Sequence, residues 1–339
     1  MESDHSSPAI SLLPKVELHL HLDCSLSYHA LHLLDPQITR DQYHRQFMAP
    51  AKCSGLMELI TPVFQSLKYM QTAEQLEVVV LDLFEQLKKD KVFYAEIRFA
   101  PLLHTEKGLT PGEAVSIVEQ ATASAIKHYG IHARLILCTL RHFTEAQSME
   151  TVELVQTFKN SHVTGFDLAA DEAGYPVDQH RKAYDYAHQT GIPCTCHAGE
   201  ARGADSVWEC LRELRPSRIG HGVRSIEDPA LIQYLRDQHI HLEICPSSNV
   251  QMNLVETYGE HPVDKLYRLG VSLGINTDNR TLSDITLTRE YEKLQSHFSW
   301  GIRHFLDCNL HAIRAAFIPE PLKQELAERI MAEYKSMNV

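Results

Sequence analysis

The sequence lacks the features that would tie it to a membrane or to a dinucleotide. It has no apolar run near the ~20 residues that span a bilayer, and neither GxGxxG nor GxxxxGKS/T occurs in it. Its first residues, MESDHSSPAISLLPK, lack the basic start and apolar centre of a signal peptide. We therefore expect a cytoplasmic protein with no membrane partner.

Basic residues are also too few to indicate a nucleic-acid partner. The chain has 32 Lys and Arg against 44 Asp and Glu, a formal net charge of -12, whereas binding to a phosphate backbone requires a basic face. This charge does not exclude a nucleoside, which carries no phosphate. The eight cysteines are scattered, and a chain of this size needs no disulfide framework, so we interpret them as reduced thiols.

Short β-rich runs alternate with amphipathic helical patterns along the 339 residues. Such alternation predicts parallel strands joined by crossover helices, and eight units predict an α/β fold, a closed (β/α)8 TIM barrel forming one domain over residues 1–339. An open doubly wound sheet is the alternative, but no dinucleotide fingerprint supports it. The predicted strands are Val16–Leu22, Phe93–Ala100, Arg134–Leu140, Val163–Ala169, Pro193–His197, Arg218–Val223, His241–Cys245 and Val271–Asn276.

The interval between the first two predicted strands, residues 25–90, is long and helical in pattern. In a barrel such an insertion lies above the strand ends, where it can form a lid. The apolar positions at helical spacing predict a stripe that faces inward, although ordinary helix packing explains each of them equally well; they are Leu56, Leu59, Ile60 and Phe64. The C-terminal stretch AIRAAFIPEPLKQELAERIMAEY predicts additional helices after the barrel.

The first strand, in VELHLHLD, combines an apolar face with a face of imidazoles and carboxylates. Alternate side chains of a strand point to opposite faces, so Glu17, His19, His21 and Asp23 share one side. Two interpretations are open at this point. The polar face contacts solvent, or it contributes to a metal site at the end of the strand.

Other predicted strands also end in residues that can ligate or catalyse. The active sites of barrel enzymes lie at the C-terminal strand ends, which brings His197 and Asp278 toward His19 and His21. Three imidazoles and one carboxylate are a suitable ligand set for one Zn2+ ion. Such an ion lowers the pKa of a water in its shell to ~7. We therefore predict a zinc site formed by His19, His21, His197 and Asp278.

Glu200 follows His197 by three residues and suits a general acid or base beside the metal. His221 stands between two glycines, which allow close approach of a ligand, and it can orient the water or stabilise its charge. Phosphate hydrolysis is less well supported, because no arginine or lysine cluster accompanies these motifs. Cys194 and Cys196 are interpreted as strand residues rather than ligands.

Taken in order, eight segments resemble the adenosine deaminase family of metal-dependent hydrolases: VELHLHLD, FYAEIRFAP, LILCTLRH, FDLAADE, CHAGE, RIGHGV, CPSSNVQ and GINTDN. The similarity runs from about Lys15 into the C-terminal helices. It implies a (β/α)8 barrel that binds zinc and removes the amino group from C6 of a purine nucleoside, releasing ammonia.

The resemblance also implies a role for each matching residue. Glu200 would donate a proton to purine N1, and His221 would position or deprotonate the attacking water, from which Asp278 would accept a hydrogen bond. The implied zinc ligands are His19, His21, His197 and Asp278. The implied substrate-binding groups are His21, Asp23 for a ribose hydroxyl, the backbone N–H of Ala170 for purine N3, and Asn279 for purine N7.

Three positions depart from the usual family pattern and leave the pocket shape open: Cys24 and Ala170 replace frequent glycines, and Asn279 replaces a frequent aspartate. An asparagine amide donates to N7 without needing protonation. Alternative substrates are free adenine, N6-methylated AMP and aminodeoxyfutalosine, and an alternative from another class is an inactive protein that binds purine nucleosides. The sequence does not predict the oligomeric state.

Overall fold

The computed structural model describes residues 10–54 and 56–337, with only the backbone described at Leu56. Residues 1–9, with most of the stretch compared above with a signal peptide, lie outside the described part. Among the described residues, no helix is both long enough and apolar enough to cross a bilayer.

Eight parallel strands are present among the described residues, and each coincides with a predicted strand to within a few residues. The largest difference is at β5, where Pro193 lacks an N–H and the pairing before His197 is reduced to an isolated bridge between Cys194 and Phe166. The strands are β1 (Lys15–His21), β2 (Val92–Phe99), β3 (His132–Leu140), β4 (Val163–Ala169), β5 (His197–Ala198), β6 (Arg218–His221), β7 (His241–Ile244) and β8 (Leu273–Ile275).

The strands close into a barrel, which confirms the predicted fold class. Parallel pairing runs from β1 to β4 and from β5 to β8, and the Phe166–Cys194 bridge joins β4 to the segment before β5. On the other side, His21 N donates to Asp278 O at 2.9 Å and Asp278 N donates to His19 O at 3.0 Å. The backbone that closes the barrel therefore carries three of the predicted ligands.

Helices surround the barrel, with four of them in the predicted insertion between β1 and β2 and others after β8. Several of these helices begin with a recognisable N-terminal capping motif. For example, α5 begins with a capping box between Thr110 and Glu113. The helices are α1 (Tyr28–Leu34), α2 (Arg40–Phe47), α3 (Leu56–Leu67), α4 (Ala73–Lys89), α5 (Pro111–Tyr129), α6 (Glu145–Thr157), α7 (Arg181–Thr190), α8 (Ala204–Glu213), α9 (Pro229–Asp237), α10 (Pro246–Gln251), α11 (Val263–Arg268), α12 (Leu287–Phe298), α13 (Ile302–Ala315) and α14 (Glu320–Ser336).

The predicted inward stripe of α3 is wrong at Phe64, whose side chain is 55% exposed. The buried face of this helix instead includes Pro62 and Ser66, one turn apart. Phe64 lies two residues from each of them, which places it on the opposite side of the helix. Leu59 and Ile60 are partly buried, and the side chain of Leu56 lies outside the described part.

The barrel interior contains paired charges below the predicted site. Arg98 on β2 donates to Asp167 at 2.8 Å and to Glu243 at 2.7 Å, and Arg218 contacts Glu96 and Glu243, each at 2.7 Å. All five side chains are almost fully buried. Buried charges of this kind are tolerated because each has an opposite partner.

Candidate active site

The structure brings the four predicted ligands together at the mouth of the barrel. Their candidate ligand atoms, one from each of His19, His21, His197 and Asp278, all lie within 4.8 Å of one another. His21 Nε2 and His197 Nε2 are 3.2 Å apart, and Asp278 Oδ1 lies 3.3 Å from His19 Nε2. Three nitrogens and one oxygen therefore surround one small volume.

This donor set fits a divalent cation. His19 Nε2 is buried and has no hydrogen-bond partner, which is costly unless something else contacts its lone pair. Burial holds the pKa of His21 well below its usual value, so its ring is neutral. Burial acts to raise the pKa of Asp278, but the neighbouring histidines outweigh it and keep that pKa well below the usual value. Neutral imidazoles and a carboxylate are the forms that bind zinc.

Two buried carboxylates orient the histidines from outside the ligand set. His19 Nδ1 lies 2.8 Å from Glu243 Oε2, and His197 Nδ1 lies 3.2 Å from Asp167 Oδ2. A carboxylate that accepts a hydrogen bond from Nδ1–H keeps the proton on Nδ1 and so leaves the Nε2 lone pair free for a metal. Arg98, which contacts both carboxylates, holds them in place.

Asp278 is fixed so that one of its oxygens faces the histidines. Ser248 Oγ donates to Asp278 Oδ2 at 2.6 Å and Asn279 Nδ2 donates to the same oxygen at 2.7 Å. The backbone of Asp278 is left-handed, with φ 61°, a conformation that is strained for a residue with a side chain. The turn after β8 is thus held in an uncommon conformation that directs Oδ1 to the ligand set.

A second group of possible ligands replaces His21 and His197 by His221 and Cys245. Burial raises the pKa of the Cys245 thiol well above its usual value, and the nearby Asp278 raises it further. A protonated thiol is a poor ligand, which favours the first group. Cys194 and Cys196 belong to no group of possible ligands among the described residues.

Glu200 lies beside the ligand set with its carboxyl 3.5 Å from His221 Nε2. Burial, followed by the charges of Asp278 and Glu172, raises the pKa of Glu200 to about 8. A raised pKa favours the protonated carboxyl, which is the form that a general acid needs. His221 is buried, and burial lowers its pKa to about 4.

Glu172 fixes the loop that carries Glu200. Its carboxylate accepts hydrogen bonds from the backbone N–H groups of residues 199, 200, 201 and 202, at 2.5 to 3.0 Å. It also accepts one from the Ser206 hydroxyl. Glu172 belongs to the FDLAADE motif, but the sequence assigns it no role, because nothing in the spacing shows which backbone a carboxylate will contact.

The predicted sugar-binding residue, Asp23, lies in a short 3-10 helix just after β1. His104 Nε2 lies 2.8 Å from Asp23 Oδ1, and Ala100 N donates to Asp23 Oδ2 at 3.1 Å. His104 Nδ1 in turn contacts the carbonyl oxygen of Met70 at 2.8 Å. The buried imidazole of His104 therefore links Asp23 to Met70, which belongs to the insertion between β1 and β2.

Ala170, where the family pattern often has glycine, is exposed and has a left-handed backbone with φ 76°. This conformation costs a residue with a side chain ~1–2 kcal/mol. The chain therefore keeps at position 170 the backbone shape that a glycine would adopt freely.

Gly220, beside His221, illustrates why glycine is needed near the ligands. A Cβ atom at this position would lie 3.0 Å from His19 Cε1, closer than side chains normally pack. The absence of a side chain at position 220 thus makes room for the His19 ring.

A family model described as adenosine deaminase matches residues 14–333. The chain belongs to the adenosine deaminase family. Adenosine deaminase from Clostridium acetobutylicum is 35% identical to it over an alignment of 325 residues that covers 94% of this chain and 97% of that protein.

Solved structures agree with the barrel. An adenine deaminase from Arthrobacter aurescens has a TM-score of 0.85 at 24% identity and covers 95% of this chain and 99% of its own. An amidohydrolase from Burkholderia ambifaria with bound zinc has a TM-score of 0.89 at 22% identity and covers 100% of this chain and 95% of its own.

Membership of the adenosine deaminase family makes this chain a hydrolytic deaminase of aminopurines from a metal-dependent family. The alternative of an inactive binding protein is therefore set aside. The structure gathers the predicted ligands, Glu200 and His221 at one mouth. Residues that the sequence did not reveal support them from behind, namely Asp167, Glu172, Glu243, Ser248 and Asn249.

Proposed function

We propose that this enzyme deaminates adenosine and 2′-deoxyadenosine at purine C6, giving inosine or 2′-deoxyinosine and ammonia, as a step of purine salvage. One zinc ion per chain is the proposed cofactor. The observation that carries the proposal is the Glu200 carboxyl, 3.5 Å from His221 Nε2, beside a ligand set of three imidazoles and one carboxylate. A purine with an amino group at C6 needs both a proton at N1 and an activated water.

The roles proposed for the residues follow from their surroundings. Glu200 donates its proton to N1, which makes C6 more electrophilic, and His221 contacts the water on the side of the pocket formed by β6. The proposed ligands are His19, His21, His197 and Asp278, and an ion held there lowers the pKa of a nearby water. A zinc-bound structural neighbour from Burkholderia ambifaria supports the choice of metal.

The remaining predicted contacts are proposed to hold the purine and its sugar. Asp23 accepts from a ribose hydroxyl, and His21 borders the same region. The Ala170 N–H donates to N3 from its left-handed turn. One N–H of the Asn279 amide is used by Asp278 at 2.7 Å, and the other is available to donate to N7.

A nucleoside is favoured over a nucleotide because the buried arginines that contact the site's residues are already paired. Arg98 contacts Asp167 and Glu243. Arg141 donates to the carbonyl oxygens of Tyr175 at 3.1 Å and His197 at 2.9 Å. The terminal nitrogens of both guanidiniums thus already donate to groups of the barrel, whereas a phosphate would need such donors for itself.

We further propose that the chain functions as one hydrolase domain in the cytoplasm, with residues 25–90 covering the mouth of the barrel. The contact of Met70 with His104, and through it with Asp23, supports the covering role. No disulfide links any of the eight cysteines, all of which lie in the described part, and this fits a reducing compartment.

The substrate is tested by measuring ammonia release from a panel of C6-aminopurines with the purified, zinc-loaded enzyme. The panel comprises adenosine, 2′-deoxyadenosine, adenine, AMP, N6-methyl-AMP and aminodeoxyfutalosine. The proposal predicts that kcat/KM is highest for the two simple nucleosides. If kcat/KM is higher for adenine, a nucleotide or aminodeoxyfutalosine, that compound is the substrate and the proposal of adenosine is wrong.

A further inference from the structure

A chain of buried hydrogen bonds extends behind His221, away from the pocket. Asn249 Nδ2 lies 3.1 Å from His221 Nδ1, and Asn249 Oδ1 lies 3.1 Å from His261 Nε2. The backbone N–H of Val263 donates to His261 Nδ1 at 3.1 Å. The residues joined by these hydrogen bonds are buried: His221 is 1% exposed, Asn249 0% and His261 2%. Water therefore does not compete for these contacts.

The backbone N–H at the far end determines the direction of every bond in the chain. An amide N–H can only donate, so His261 Nδ1 must accept and carries no proton. The proton of the neutral His261 ring is therefore on Nε2, where it donates to Asn249 Oδ1. Burial lowers the pKa of His261 to about 3, which agrees with a neutral ring.

The orientation of the Asn249 amide follows from that of His261. With Oδ1 accepting from His261, the amide presents its Nδ2 hydrogens to His221. A proton on His221 Nδ1 would place two donors against each other at 3.1 Å, whether the ring were neutral or doubly protonated. Nδ1 of His221 must therefore be an acceptor, and the ring proton lies on Nε2.

His221 Nε2 is the nitrogen that faces the pocket, because it lies 3.5 Å from the Glu200 carboxyl. We propose that Asn249 and His261 are positioning residues that hold His221 as the Nε2–H form, so that His221 donates a hydrogen bond to the attacking water instead of removing its proton. This inference rests on the proposed function, and it decides between the two roles that the family resemblance leaves open for His221.

The proton that the water loses then passes to another base. Asp278 is suited to this, because one of its carboxylate oxygens lies within 4.8 Å of a ring nitrogen of His221. The number of protons on His221 is unchanged through the reaction, and the proton that reaches N1 comes from Glu200. Asp278 passes the proton of the water to the C6 amino group, which leaves as ammonia, and the hydroxyl proton that remains on the C6 oxygen returns to Glu200 as the C6=O bond forms. A neutral donor in a buried pocket stabilises the charge on the attacking oxygen.

The wild-type ring is tested directly by 15N NMR of the zinc-loaded enzyme labelled at histidine. The His221 signals are those that disappear in His221→Gln. The inference predicts a protonated Nε2 and an unprotonated Nδ1. A proton on Nδ1, alone or together with one on Nε2, would overturn it. This spectrum needs no substrate, so it determines the protonation of His221 even if adenosine is not the substrate.

The variant Asn249→Asp reverses the hydrogen bond to His221, because a carboxylate of the same shape accepts from both rings. We expect the proton of His221 to move to Nδ1 and kcat to fall by ~100-fold or more, as happens when a catalytic histidine is held in the wrong tautomer. Bound zinc, measured by atomic absorption, stays near one per chain.

The matched control is Asn309→Asp. Asn309 is 1% exposed, and it hydrogen-bonds Val16 N at 2.8 Å near the start of β1, the end of the barrel opposite the mouth. We expect the control to leave the His221 signals unchanged and kcat within about threefold of the wild type. Equal losses of kcat in both variants, or a wild-type kcat in Asn249→Asp, would show that Asn249 has only a structural role. If Asn249→Asp does not fold, the wild-type spectrum alone decides.

Discussion

The substitution Glu172→Gln tests whether one carboxylate holds the catalytic loop. In the structure, Glu172 Oε2 accepts from three backbone N–H groups and Oε1 accepts from Gly199 N and the Ser206 hydroxyl. A glutamine has the same shape but only one accepting oxygen. At best it keeps the three bonds to Oε2, and its NH2 group then faces the N–H of Gly199.

The expected cost can be worked out from these contacts. One buried donor left without an acceptor costs ~1–3 kcal/mol, and three bonds lose a charged acceptor at ~1 kcal/mol each. We therefore expect the free energy of unfolding to fall by roughly 4–6 kcal/mol. Because the loop also carries Glu200, we expect kcat/KM to fall by ~100-fold. Urea unfolding and steady-state kinetics measure the two losses.

The pH dependence of kcat/KM is a third measurement, and the direction of its shift follows from the negative charge of Glu172. The Glu172 carboxylate raises the pKa of Glu200, so that Glu200 keeps its proton. Removing this charge lowers the pKa of Glu200. The pH above which activity declines therefore shifts to a lower value. The control is Glu209→Gln, which affects only a surface contact of 2.7 Å with Arg202 in the same loop. If Glu172→Gln matches this control in stability, kcat/KM and pH profile, the assigned role of Glu172 is wrong.

Further substitutions test other parts of the site. Glu200→Gln should retain zinc but lose ~100- to 10,000-fold in kcat; in the wild type, kcat/KM should fall as the pH rises through a value at or below about 8, because Glu200 is then deprotonated and a bound cation only lowers its pKa. Normal turnover of the glutamine variant would exclude Glu200 as the proton donor. Ser248→Ala removes one of two donors to Asp278 Oδ2, so zinc affinity in a chelator competition should fall ~10-fold; unchanged affinity would contradict this. His104→Asn removes the 2.8 Å contact with Asp23 and should lower kcat/KM for adenosine by ~10-fold at constant zinc content. A loss of zinc in that variant would instead indicate general damage to the site.

The main parts of the site could be predicted because barrel topology converts sequence order into position. His19 and His21 lie on β1, His197 begins β5 and Asp278 follows β8, and the C-terminal ends of all strands meet at one mouth. Residues that follow strands in distant parts of the sequence therefore had to converge. The motif order added the substrate class, which spacing alone does not supply.

The supporting residues could not be predicted in the same way. Glu243 lies inside β7, whose sequence His-Leu-Glu-Ile alternates polar and apolar residues, and its contact with His19 joins positions 224 residues apart. A carboxylate within a buried strand was a usable signal, but it does not reveal which ligand it contacts. Asn249 and His261 act through donor and acceptor directions that only coordinates show. The error at Phe64 arose because the apolar spacing of α3 fits two faces of the helix.

The central claim is that His19, His21, His197 and Asp278 bind one catalytic cation. Anomalous diffraction at the zinc absorption edge, on crystals of the zinc-loaded enzyme, tests it most directly. We expect a single peak at the barrel mouth, with Zn–N distances of ~2.0–2.1 Å to the three imidazoles and a similar Zn–O distance to Asp278. A peak bound by His221 and Cys245, or no peak among these side chains in fully active enzyme, would contradict it.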